Sequence, residues 1–224
     1  MKPVLCYVTD RRSLAAQNQA AALLDTVRRA IIAGVDWIQI REKDLPGRDL
    51  SHLVRECVAA AAGSATRIIV NDRLDVAVAT GAAGVHLGGE SLPVRDVVEW
   101  LRKRRFEARG LRFENLEASA TLVGRSCHST EEARAAEAHG ADYVIFGPVF
   151  ATPSKAQFGA PQGLERLAGV CRAVRIPVLA IGGIALENAA ECWRAGASGV
   201  AAIRLFQEAQ ELGPVIAGMR ATAV

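Results

Sequence analysis

The chain predicts an α/β fold of the (βα)8 type, a TIM barrel in a single domain over residues 1–224. Three observations predict it. Short runs of β-branched and other apolar residues alternate with longer alanine-rich helical patterns, and there are eight such units. Each short run is nearly continuous in apolar residues instead of alternating, as a parallel sheet covered on both faces requires. A glycine phrase recurs where a helical pattern gives way to a strand: Ala33-Gly-Val-Asp-Trp37, Thr80-Gly-Ala-Ala-Gly-Val-His86, His139-Gly-Ala-Asp-Tyr143 and Ala195-Gly-Ala-Ser-Gly-Val200. Eight βα units of this kind close a barrel.

In chain order, the first strand is expected over Val4–Thr9, with a helix over Ala20–Ala33 stopped by Gly34. The second strand, Trp37–Arg41, leads to a helix over Arg48–Ala62. The third, Arg67–Asn71, leads to Leu74–Thr80 and its stop at Gly81. The fourth, Gly84–Leu87, precedes a helix over Val94–Arg104. Residues 106–120 have poor periodicity and read as a loop insertion. The fifth strand, Thr121–Ser126, is followed by Ser129-Thr-Glu-Glu132, where a hydroxyl ahead of acidic residues satisfies free amides and complements the dipole of a helix over Thr130–His139. The sixth strand, Tyr143–Gly147, pairs with a helix over Gly163–Ala173. The seventh, Pro177–Ile181, pairs with Leu186–Ala195, and the eighth, Gly199–Ile203, with Gln207–Arg220. Gly34, Gly81, Gly140 and Gly196 follow helical patterns, where a left-handed residue ends a helix.

Composition excludes several classes. At 224 residues, half of them hydrophobic, the chain can bury a large core. A net charge of +3 argues against an extended nucleic-acid surface, and Arg102-Lys-Arg-Arg105 near Trp100 reads as a solvated helix end whose cations answer the dipole. Five cysteines, Cys6, Cys57, Cys127, Cys171 and Cys192, are odd in number and lack CxxC spacing, so reduced thiols are expected rather than disulfides or zinc ligands. The apolar run Val4–Val8 is too short for a signal peptide or membrane span, which points to a cytoplasmic protein without a membrane partner. The oligomeric state is left open, a homo-oligomer included.

Polar chemistry collects at the carboxyl ends of the expected strands, where barrel enzymes build their sites. Gln39, Arg41 and Lys43 alternate on the second strand and its exit, so period-two geometry turns all three toward the interior or mouth. Two cations and an amide gathered there call for an anion, or else for salt bridges to Glu42 or Asp44. Asn71 and Asp72 close an apolar strand, and Asp72 offers the hard oxygen that magnesium takes when it carries phosphate. Capping of the helix near Leu74 is the equal alternative for Asp72. Glu90 is a possible second acid, and His86 reads as a satisfied interior residue. His128 is either an acid/base group or a hydrogen-bond partner of the next helix start. Thr152-Pro-Ser-Lys155 supplies hydroxyls and a cation suited to phosphate. Gly182-Gly183, with Gly199–Ile203 beyond, lets backbone amides approach an anion or lets helix and sheet pack closely.

Together, Gln39-Ile-Arg-Glu-Lys43, Asn71-Asp-Arg73, Gly84-Val-His-Leu-Gly88, Ala141-Asp-Tyr143, Phe146-Gly-Pro-Val-Phe150, Thr152-Pro-Ser-Lys155 and Ala180-Ile-Gly-Gly-Ile184 resemble the thiamine phosphate synthase and thiazole tautomerase family of barrels. The resemblance runs from Tyr7 to Ile203. Likeness to the synthases implies joining a hydroxymethylpyrimidine diphosphate to a thiazole phosphate with release of pyrophosphate, through a pyrimidine cation trapped by the thiazole nitrogen. It implies that Arg41, Lys43, Asn71 and Lys155 hold the pyrophosphate, that magnesium sits on Asp72, and that Gln39 and Ser126 place the pyrimidine. Thr152, Pro153, Ser154, Gly183 and Ile203 would receive the thiazole phosphate.

Two positions depart from that pattern. Ser91 stands where the family carries a second magnesium aspartate, a poorer ligand that Glu90 or water would have to support. Arg204 stands where synthases carry a serine, and its guanidinium either grips phosphate or obstructs the pocket. The tautomerase branch is the alternative, with His128 as proton carrier and no metal. It has no use for Lys43, Asp72 and Lys155 together, so the synthase is favoured. A barrel that binds phosphorylated ligands without turnover is a third reading, motivated by Ser91.

Overall fold

A computed structural model describes residues 2–110, 121–152 and 160–223. Its eight strands are β1 (Val4–Val8), β2 (Trp37–Ile40), β3 (Arg67–Asn71), β4 (Gly84–Leu87), β5 (Leu122–Cys127), β6 (Tyr143–Phe146), β7 (Val178–Ile181) and β8 (Gly199–Ala202). They pair in chain order, all parallel, and β8 returns to β1 to close the barrel. The predicted (βα)8 fold is therefore the observed one.

Closure explains the continuous apolar strands. Cys6, Val8, Tyr143, Ile145, Leu179 and Ala201 point inward and fill the barrel, with Trp37 and Ile203 packed against them. Their neighbours Leu5, Tyr7, Ile38, Ile40, Val70, Val85 and Phe146 point outward under the helices. Both faces are dry, so each residue of a strand must be apolar or find a partner.

The helices are α1 (Gln19–Ala33), α2 (Gly47–Ala61), α3 (Leu74–Thr80), α4 (Val94–Gly110), α5 (Thr130–Ala138), α6 (Gly163–Ala173), α7 (Ala189–Arg194), α8 (Arg204–Gln207) and α9 (Leu212–Ala221). Gly34, at φ 84°, and Gly196, at φ 94°, adopt the left-handed conformation that the repeated phrase predicts, as do Gly81 and Gly140. Ser129 caps α5, its hydroxyl accepting from the Glu132 amide at 3.1 Å.

Three boundaries differ from the sequence expectation by more than one residue. The helix α4 continues to Gly110, so residues 106–110 are helical and not loop; 111–120 lie outside the described residues. The helix expected from Leu186 begins at Ala189, because Asn188 folds back: its Oδ1 accepts from the Ala185 amide and its Nδ2 donates to Gly183 O. The single helix expected over Gln207–Arg220 is two. Pro214 has no amide to donate and fits only the first turn of a helix, which forces α9 to start near Leu212. The residues before it form the short α8 at the carboxyl end of β8.

All five cysteines are free thiols, and burial raises those of Cys6, Cys57, Cys127 and Cys192 to about 12. Among the described residues no helix is long and apolar enough to cross a membrane.

Candidate active site

The loop after β2 is held from below by the loop after β1. Glu42 is buried at 4 % exposure. Its carboxylate accepts from Thr9 Oγ1 at 2.5 Å, from the Arg11 amide at 3.2 Å and from Arg11 Nη1 at 3.0 Å. Arg11 also takes Asp44 through both guanidinium nitrogens at 2.7 Å, which lowers the Asp44 carboxyl to about 2. The Arg41 amide donates to Thr9 Oγ1 at 2.9 Å. Arg11 thus occupies the two acids that could have neutralised Arg41 and Lys43. Neither of those cations has an acidic partner among the described residues.

Gln39 faces inward and is 3 % exposed, its Nε2 donating to Asn71 Oδ1 at 2.9 Å. Its Oε1 is buried without a hydrogen bond, a costly state that a bound donor relieves. Register matches Ile40 with Val70, so Arg41 and Asn71 emerge side by side at the same rim. Burial depresses the imidazole of His86, and the charges of Arg125 and then Arg41 add to that effect.

Asp72 is exposed and carries φ 67°. That left-handed conformation is strained for a residue with a Cβ. The helix-capping alternative does not hold: Arg73 is the residue before α3, no side chain caps it, and Arg73 pairs with Asp75 at 2.6 Å. The Asp72 carboxylate makes no hydrogen bond or ion pair among the described residues, while its amide donates to His86 O at 2.8 Å.

Behind this rim a polar chain crosses the interior. The Tyr143 hydroxyl lies 3.2 Å from His86 Nδ1, and His86 Nε2 lies 2.8 Å from Ser126 Oγ. Burial, with Arg125 and Arg41 nearby, lowers the imidazole to about 3, and burial raises the Tyr143 phenol well above its usual range. His86 is the satisfied interior residue the sequence suggested. Gly124, in register with Tyr143, makes room for it, since a Cβ there would collide with the phenol ring.

The remaining expected residues that the structure describes follow the carboxyl ends of their strands. Ser91 Oγ accepts from the Gly88 amide at 2.7 Å and closes the turn after β4, where Glu90 is exposed and Arg125 Nη1 donates to Gly88 O. Among the described residues no three His, Cys, Asp or Glu side chains gather as a metal cage. His128 is exposed; its Nδ1 donates to Gly147 O at 2.6 Å and its amide to Glu132 at 2.7 Å. The ring therefore bonds the end of β6 rather than the helix start. Gly183, at φ 64°, packs so closely on Phe150 and Ala151 that a Cβ would lie 2.6 Å from Ala151 O. Ile203 precedes α8, and Arg204 is exposed at the first residue of that helix. Thr152 is half-buried, while Pro153, Ser154 and Lys155 lie outside the described residues.

Sequence reasoning missed Arg11, the inward role of Tyr143 and the separate α8. The Gly124–Tyr143 pairing was the one available signal, a large inward residue in register with a glycine. Arg11 left none, because its partners lie 31 and 33 residues away.

The profile of a family described as thiamine monophosphate synthase matches residues 5–106 and 111–206. The chain is 41 % identical over 199 residues to a putative thiamine-phosphate synthase of Geobacter sulfurreducens, covering 89 % of this chain and 84 % of the relative. It is 44 % identical over 194 residues to a thiamine-phosphate synthase of Anaeromyxobacter dehalogenans, covering 87 % and 80 %. The solved thiamine phosphate pyrophosphorylase from Pyrococcus furiosus superposes with a TM-score of 0.79 at 32 % identity, over 98 % of this chain and 95 % of that one.

Proposed function

The chain belongs to the thiamine monophosphate synthase family, and from that membership we propose how its rim works as a thiamine-phosphate synthase. The reaction is a transfer: 4-amino-2-methyl-5-(diphosphomethyl)pyrimidine and a thiazole phosphate give thiamine phosphate and pyrophosphate. The observation that carries the site assignment is the pairing of two uncompensated charges, Arg41 and Asp72, on adjacent loops beside the orphaned Gln39 Oε1.

Departure of the diphosphate leaves a pyrimidine cation, so the catalytic burden is to stabilise the leaving charge. Arg41, Lys43, Asn71 and Lys155 hold the pyrophosphate. Gln39 and Ser126 place the pyrimidine, keeping its exocyclic carbon in line for the thiazole nitrogen. No side chain acts as a nucleophile.

The donor set at Asp72 suits magnesium carried by phosphate. That ion keeps most of its waters and needs only one or two carboxylates besides the substrate's oxygens, and Asp72 offers a carboxylate with no protein partner among the described residues. Ser91 has already spent one lone pair on the Gly88 amide, so it can add little, and exposed Glu90 is the nearer substitute in charge. When bound, magnesium would neutralise the departing pyrophosphate.

The thiazole phosphate is received by Thr152, Pro153, Ser154, Gly183 and Ile203, with Arg204 adding a guanidinium at the start of α8. A short extra helix after the eighth strand is a customary phosphate position in barrels. The partners are thus small phosphorylated molecules, and the reading places the work in the cytoplasm without nucleic acid or membrane.

Purified protein given both substrates and magnesium should form thiamine phosphate. The product should vanish in chelator and fall at least a hundredfold in Asp72→Ala. Turnover that persists in chelator would remove the metal from this account, and absence of product would remove the synthase.

A further inference from the structure

The buried chain Tyr143–His86–Ser126 can carry its protons in two orders, and only one leaves every buried donor satisfied. In the first, the Tyr143 hydroxyl donates to His86 Nδ1 and His86 Nε2–H donates to Ser126 Oγ, across 3.2 and 2.8 Å. In the second, His86 Nδ1–H donates to Tyr143 and Ser126 donates to Nε2. The second order strands the phenol proton, because Tyr143 is 1 % exposed and His86 is its hydrogen-bonding partner among the described residues. A buried donor left unmatched costs far more than the choice of tautomer.

We infer that Tyr143 and His86 are positioning residues that set Ser126 as a hydrogen-bond donor toward the pyrimidine. With Ser126 Oγ accepting from His86, its own proton turns to the barrel mouth and selects an acceptor on the ligand. Gln39 supplies the opposite character, because its Oε1 is a buried acceptor with no partner and faces the same interior. One donor and one acceptor match an aminopyrimidine, whose ring nitrogen accepts and whose amino group donates. An oxo-pyrimidine with a protonated ring nitrogen meets like against like at both.

The selectivity rests on the synthase reading of Ser126; the proton order does not. Two measurements separate them. Long-range 1H–15N correlation spectra of the substrate-free full chain, with the His86 signals assigned by their loss in His86→Gln, should show Nε2 protonated and Nδ1 bare. The opposite tautomer overturns the inference. In Tyr143→Phe, whose melting temperature reports folding, KM for the pyrimidine diphosphate should rise about fivefold to tenfold with KM for the thiazole phosphate changed less than twofold. Combining Tyr143→Phe with Ser126→Ala should add little to Ser126→Ala alone, since both act through one hydroxyl. Full additivity, or equal rises in both KM values, overturns the inference. An unaltered enzyme that makes no thiamine phosphate yet shows the Nε2–H tautomer sinks the synthase reading and leaves the proton order standing.

Discussion

Arg11 closes on Glu42 at 3.0 Å and on Asp44 at 2.7 Å, and by doing so it leaves Arg41 and Lys43 without acids to pair with. The loop that carries the half-buried Arg41 and the exposed Lys43 is therefore built around a third cation that holds it shut. Removing that third one should be expensive in a particular way.

Arg11→Ala strands a carboxylate that is almost wholly buried, and a buried charge without its partner destabilises on the order of 3 kcal/mol. Urea unfolding at pH 7 should show that loss, together with a weaker grip on the diphosphate substrate. The contribution of Asp44 follows its lowered carboxyl: it is complete above the ordinary aspartate range and disappears as pH falls from about 4 through about 2. An Arg11→Ala variant as stable as the parent would mean that Glu42 is held by Thr9 and amides alone.

Asp72 holds a strained backbone conformation. Its φ of 67° costs about 1 kcal/mol that glycine does not incur. Asp72→Gly should hold or slightly raise the melting temperature while thiamine phosphate formation collapses. Asp72→Asn, which tolerates the same backbone, should also lose turnover and so isolate the charge. Activity retained in the asparagine variant would remove Asp72 from the metal.

The neutral interior His86 makes stability depend on acid. Its pKa is 6.5 in the unfolded chain and about 3 in the fold, so below pH 6.5 the unfolded state binds a proton that the native state refuses. Stability at this site falls as pH drops from 6.5 toward 3, by about 2 kcal/mol between pH 7 and pH 5. His86→Gln should flatten that portion of the stability profile, read from urea midpoints. A parallel profile in the variant would place the acid sensitivity elsewhere.

Gly124→Ala tests whether the register pairing with Tyr143 is as tight as it looks. The added methyl meets the phenol ring, whose far side is packed on Trp37 with ring centroids 4.7 Å apart. Overpacking of this kind costs about 3 kcal/mol and should displace the hydroxyl from His86. Calorimetry would measure the first, and the KM for the pyrimidine diphosphate the second.

Arg204→Ser should weaken thiazole phosphate about fivefold at low salt, the worth of one exposed charge-assisted contact, with the pyrimidine side untouched. Tighter binding would instead identify the guanidinium as an obstruction, and no change would take it out of the site.

The strand ends were legible because a barrel demands apolar residues on both faces, so Gln39 and Asn71 stand out as polar residues without a reason in the core. Gly34, Gly81, Gly140 and Gly196 were legible because only a left-handed residue ends a helix that way. The break before Pro214 was misread, although the proline itself carried the signal. The alternative left open for Arg41 had to wait because it depended on Arg11, 31 residues from Glu42, and the one for Asp72 because it turned on the local backbone at Arg73.

By itself the sequence determined the eight βα units, the all-parallel barrel and the rim on which the polar residues would gather, since burial and periodicity act within short windows. Only the tertiary structure decided that Arg11 would take both Glu42 and Asp44, that Asp72 would stand unpaired among the described residues, and that Tyr143 would reach Ser126 through His86. Those outcomes are contests between groups far apart in the chain, settled by distance and by the cost of leaving a buried polar atom unmatched.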